Sequence, residues 1–233
     1  MRVSARTAQQ QGFSLVELMV TLLISLVAII SILSLFQGIT RNSVEVKVGA
    51  SLDGDVQLGL LTAHKLLQGA GFSAAANASS PGYGPDLRLI LKAALDKKGG
   101  ALGGKPVAGA SLGAAVEAGT GWALLWRSDG TLEGLYAPAT GGLFTLTSTG
   151  SATPLTGSNN NWQIGTTLIA PPQVDSANLA NSGRVGVTVA RSDCQPPGLA
   201  TAPVNTGRFT VTLAANGYAA GAAQVSTTCL INF

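Results

Sequence analysis

The stretch "GFSLVELMVTLLISLVAIISILSLF", residues 12–36, decides how this chain is built. From Phe13 to Phe36 it runs for 24 residues with no Gly, no Pro and one charge, Glu17. As a helix that run is about 36 Å long, enough to cross a hydrocarbon core of about 30 Å. Arg2 and Arg6 precede it, so the excess of positive charge keeps the N-terminus in the cytoplasm and exports the rest. A secretory signal peptide needs a shorter apolar core followed by small residues at a cleavage site, and Leu35-Phe36-Gln37 is no such site. A plain membrane anchor accounts for the length and the orientation but gives no reason for Glu17.

A carboxylate at mid-helix costs about 2.5–3.5 kcal/mol on insertion scales, and less near an interface. The apolar segment itself holds no Lys, Arg or His to offset it. A partner must come from elsewhere, or from a newly made N-terminus. Cutting between Gly12 and Phe13 would create an amine one helical turn before Glu17, and an acidic side chain in a first turn also complements the helix dipole. "QGFSLVELMV", residues 11–20, resembles the class III signal of type IV prepilins and type II secretion pseudopilins. The resemblance implies that a dedicated peptidase cuts after Gly12 and methylates Phe13. It also implies that Glu17 pairs with the N-terminal amine of a neighbouring subunit as helices stack into a filament. The partners implied are that prepilin peptidase, the inner membrane before assembly, and other major and minor pilins through the N-terminal helix. The chain would span the bacterial inner membrane once, with a periplasmic head, and then enter a pilus at the cell surface.

After Gly38, apolar residues fall at Val44, Val48, Leu52, Val56, Leu60 and Leu67, along one face of a helix. The pattern predicts one long helix from Phe13 to Gln68, apolar all round in its first half and amphipathic in its second. Gly49, Gly54 and Gly59 each weaken it by about 1 kcal/mol relative to Ala and would mark bends; Gly69 and Gly71 are the stop signal. "HKLLQGAGF", residues 64–72, is similar to the end of this helix in PilW-like minor pilins. Many major pilins carry a helix-breaking Pro late in the apolar segment; Ser31 and Ser34 stand there instead. That departure and the chain's length favour a minor pilin that primes assembly or sits near the filament tip. A type II secretion pseudopilin shares the signal and stays an alternative.

Residues 73–119 are rich in Gly, Ala and Ser, and within them "LRLILKAAL", residues 87–95, reads equally as a short helix or an irregular strand. From Gly121 onward the pattern is β: two β-rich runs flank Asp129-Gly130, a hairpin signal, and short alternating runs follow between Gly, Pro and Asn. The fold expected is therefore α+β, a long N-terminal helix whose amphipathic half packs on an antiparallel β-sheet head. The divisions are a leader at 1–12, a membrane or filament-core helix at 13–36, its amphipathic continuation at 37–71 and a β-rich head at 72–233.

Charged residues make up 11% of the 233, well under the quarter or so usual for soluble proteins. The net charge of +3 falls to +1 once Arg2 and Arg6 are gone, and Arg88, Lys92, Lys97, Lys98 and Lys105 form only a loose group. Nucleic acid is thus a weakly supported partner. A DNA-binding or adhesive tip module would need a contiguous basic and aromatic surface, for which Trp122, Trp126 and Trp162 are the candidates, although Trp122 and Trp126 read better as core. Cys194 and Cys229, an even count in an exported chain, predict a disulfide stabilising by roughly 3–4 kcal/mol.

No catalytic, cofactor or metal constellation emerges, and the chain reads as a non-enzyme. The one His, His64, sits inside the amphipathic helix as a packing or surface residue. Gly99 to Lys105 fits GxxxxGK, but Pro106 replaces the Ser or Thr that would hold magnesium, so the stretch reads as a Gly-rich loop. Asp53-Gly54-Asp55 could open a calcium loop, but the twelfth position is His64 rather than Glu. Asn77-Ala78-Ser79 matches a glycan acceptor triplet that is common by chance.

Overall fold

The computed structural model describes residues 14–71, 87–96, 99–107, 112–128, 130–148, 155, 161–171, 182–191, 194, 209–218, 223–230 and 232–233. The chain divides into two units, Met1–Val48 and Gly49–Phe233. Helix α1, Leu15–Gly69, is unbroken and contributes to both. In the first unit every described residue is exposed. In the second, α1 buries Gly49, Val56, Gly59, Leu60, Ala63 and Leu67.

That buried face shares Val56, Leu60 and Leu67 with the one the apolar spacing predicts, but it starts later. Val44 and Val48 are 63% and 40% exposed, so burial begins only at Gly49. Two of the glycines are packing positions rather than bends. A Cβ on Gly49 would meet the ring of Tyr218, and one on Gly59 would meet the Leu168 carbonyl oxygen and the Ile169 side chain. Close approach of backbone and ring explains why small residues stand in a helix that otherwise favours larger ones. Gly54 has open space beside it.

Among the described residues ten strands follow: β1 Leu87–Ala94, β2 Gly103–Pro106, β3 Ala115–Val116, β4 Trp122–Ser128, β5 Thr131–Ala137, β6 Leu143–Ser148, β7 Trp162–Ile169, β8 Val185–Arg191, β9 Phe209–Asn216 and β10 Ala223–Leu230. They form a six-stranded sheet in the order β2-β1-β4-β5-β6-β7 and a four-stranded sheet in the order β10-β9-β8-β3. Every pairing is antiparallel. The β4–β5 hairpin pairs Ser128 with Thr131, and Gly130 between them has φ 76°, while Asp129 of the predicted turn lies outside the described residues.

The ambiguous "LRLILKAAL" is strand β1, and the reason it defeats periodicity is visible. Leu87 and Leu89 enter a core shared with α1, while Ile90 and Ala93 enter a second cluster on the sheet's opposite face. A strand apolar on both faces shows no alternation. The Gly-rich stretch expected to be a loop ends instead in β2, an edge strand, where Gly and Pro106 are tolerated because one side of the strand needs no ladder.

The main core takes Val56, Leu60, Ala63 and Leu67 from α1. It adds Leu89, Trp122, Leu124 and Leu135 from the larger sheet, and Val187, Val189, Val211 and Leu213 from the smaller. Strand β9 shows the strict alternation of a one-sided strand, with Phe209, Val211, Leu213 and Ala215 buried. Trp122 Nε1 donates to the Val185 carbonyl at 2.8 Å and joins the two sheets. Within this unit α1 touches an edge strand on each flank: Gly59 meets the end of β7, and His64 Nδ1 lies 2.6 Å from Thr228 Oγ1 of β10. Five residues correspond to about 140° of rotation round the helix, so the two contacts lie on different flanks and α1 covers two sheet edges at once.

The helix ends where the glycine signal places it, with Gly71 at φ 79°. Asn232 Nδ2 donates to the Ala70 carbonyl at 2.9 Å and to that of Gln68 at 3.4 Å, and Ser128 Oγ donates to that of Gly69 at 3.4 Å. Carbonyls orphaned by the helix end thus find side-chain donors.

Candidate functional site

The candidate assembly site is the start of α1. Gly12 and Phe13 lie outside the described residues; Glu17 is in the first turn and exposed. Around it several hydroxyls of this segment are satisfied within the helix. Thr21 Oγ1 donates to the Glu17 carbonyl at 2.9 Å, Ser25 Oγ to that of Thr21 at 2.8 Å and Ser31 Oγ to that of Val27 at 2.8 Å. Back-bonding of this kind lets Ser and Thr enter an apolar environment without an unpaired donor. A carboxylate has no such recourse. The first cation along the helix is Arg41, about 36 Å further on at 1.5 Å per residue.

The apolar side chains beyond Glu17 find nothing in this unit to cover them. Leu18, Leu22, Leu26, Ile29 and Leu33 are between 52% and 60% exposed. The helix is long and apolar enough to cross a membrane, and none of its most apolar window is buried. Burying one such side chain is worth about 1.5–3 kcal/mol, so this surface has a strong drive into lipid or against other helices.

The head places the remaining candidates in structural positions. Trp122, Trp126 and Trp162 are all buried, so none offers a face on which a base could stack. Trp126 Nε1 donates to Glu133 Oε2 at 3.2 Å. Arg88 is half-buried, Lys92 and Lys105 are exposed, and Lys97 and Lys98 lie outside the described residues. His64 is committed to packing: besides Thr228, its Nε2 lies 3.0 Å from Gln68 Nε2. Asp53 Oδ1 accepts the Tyr218 backbone N–H at 2.7 Å, so this carboxylate ties α1 to the chain just past β9. Asn77 to Ser79 lie outside the described residues. Among the described residues no group of three or more His, Cys, Asp or Glu side chains could hold a metal. Cys194 and Cys229 form a disulfide with Cα atoms 5.8 Å apart. Burial pushes the Tyr136 phenol above its ordinary value, opposed by the N–H that Leu95 donates to its oxygen at 3.3 Å.

Sequence reasoning misses the residues that hold α1 in the head. Gly59, the Asp53–Tyr218 contact and Asn232 carry no motif, and each matters only because the fold brings distant segments together.

Compared with known families, the chain matches the prokaryotic N-terminal methylation motif over residues 7–35. No curated protein and no solved structure matches it. The motif, the apolar helix and the α+β head together support a type IV pilin-like or pseudopilin protein, a structural class, with processing by a prepilin peptidase and anchoring in a membrane before assembly.

Proposed function

We propose that this protein is a minor pilin, an assembly subunit whose N-terminal helix docks among other pilin helices and whose head sits at or near the filament tip. The observation that carries the reading is Glu17. It is an exposed carboxylate in the first turn of an otherwise apolar helix, with no cation on the same helix before Arg41. Removal of residues 1–12 would leave a Phe13 amine one turn ahead of it. On a helix that began at Phe13 that amine and the carboxylate would lie on successive turns, so in a staggered bundle the amine of one subunit would reach the carboxylate of the next. Burial of apolar side chains drives association without choosing a register. The carboxylate chooses it, because a wrong stagger leaves a charge unpaired in a low-dielectric core.

The test is Glu17→Ala in the native host. Export and leader cleavage should be unchanged, since neither needs the pairing, while incorporation into filaments should fall severely. Incorporation at the wild-type level would remove the pairing role. A type II secretion pseudopilin has the same requirement, and following the subunit into purified pili or into a secretion complex separates the two.

A further inference from the structure

The residues that clasp the end of α1 come from one short piece of chain. Thr228 Oγ1 lies 2.6 Å from His64 Nδ1, Asn232 Nδ2 donates to the Ala70 carbonyl at 2.9 Å, and the Phe233 ring fills the space beside Gly71. All three lie on β10 or just beyond it, and among the described residues β10 is an edge strand whose ladder is to β9. Edge strands fray from their ends, and the end in question, Leu230 opposite Phe209, is the one nearest the clasp. Cys229 sits between Thr228 and Leu230, both of which are buried, and its disulfide to Cys194 ties the strand there.

We propose that the Cys194–Cys229 disulfide is a redox latch on the helix. With the bridge closed, β10 and residues 232–233 hold the last turns of α1 in the head. With it open, this clasp loosens ahead of the rest of the fold. Closing the latch removes two electrons and two protons from the two thiols and delivers them to an external disulfide, which leaves as a dithiol. Opening it by a dithiol reductant runs the same exchange in reverse. The latch makes firm seating of α1 a consequence of reaching an oxidising compartment, and it stands whether or not the filament reading does.

Hydrogen exchange on the full chain in detergent micelles, with and without dithiothreitol, tests the proposal, with alkylation reporting the thiols. Opening the bridge should raise exchange about a hundredfold in Leu60–Gly69 and in the last residues of β10, while the β4–β5 hairpin, Trp122–Ala137, keeps its protection. Unchanged exchange at the end of α1 would overturn the latch. So would an equal rise in the hairpin, or thiols that appear only as the whole head unfolds. In the oxidised protein, Asn232→Ala should loosen the last turn of α1 and leave the β9–β10 ladder protected. No change there would show that residues past the bridge do not hold the helix.

Discussion

Substituting Ala at two glycines of α1, five residues apart, should move stability in opposite directions. In a helix interior Gly→Ala gains about 1 kcal/mol from propensity alone. At Gly54 a Cβ meets nothing within 4 Å, so Gly54→Ala should realise that gain. At Gly59 the same Cβ collides with the Leu168 carbonyl oxygen and the Ile169 side chain. The carbonyl belongs to a sheet strand and cannot swing aside as a flexible side chain would. Overpacking of this kind costs about 1–3 kcal/mol, which matches or exceeds the propensity gain, so Gly59→Ala should lose up to about 2 kcal/mol overall. The two variants would then differ by about 1–3 kcal/mol for one identical chemical change. Thermal unfolding of the full chain in detergent, read by near-UV circular dichroism, resolves this. A head of this size shifts by about 2–4 °C per kcal/mol, so Gly54→Ala should melt higher than wild type and Gly59→Ala lower. A Gly59→Ala protein as stable as Gly54→Ala would refute the packing of α1 against the edge of β7.

Other expectations follow from single contacts. Trp122→Phe removes the donor that joins the two sheets and leaves the Val185 carbonyl unpaired in the core; a loss of about 2–4 kcal/mol is expected by urea unfolding. The Tyr136 phenol holds its proton more tightly in the fold than in the unfolded chain, where 10.0 applies. Below pH 10 both states are neutral and nothing changes. As pH climbs past 10 the unfolded phenol ionises first, so stability falls. Tyr136→Phe should flatten that alkaline limb while costing about 0.5–1.5 kcal/mol at neutral pH, and an unchanged limb would assign it to other groups.

Much of the fold is legible because its signals are local. The apolar run, the Gly69 and Gly71 stop, the hairpin that joins β4 and β5 and the alternation in β9 each declare themselves within a few residues, and the structure follows them. What periodicity loses is what non-local contacts decide. β1 hides its strand character by being apolar on both faces. The face is read correctly at Val56, Leu60 and Leu67 but misjudged at its start, because the sequence weighs Val44 and Val48 as apolar and Gly49 and Gly59 as weak, whereas the glycines are buried and the valines exposed. At the candidate site the need of Glu17 for a partner is readable from charge and length alone, whereas its pairing with a neighbour's amine is what the resemblance implies. The clasp on the far end of the same helix is not, because Asn232 gains its role only from meeting Ala70 across the fold.

The most direct test of the account is the intact mass of the protein isolated from its native envelope. It should correspond to a chain beginning at Phe13, lacking residues 1–12, with one added methyl group on its N-terminal nitrogen. A mature chain that still carries residues 1–12, or that begins beyond Phe36, would contradict the account.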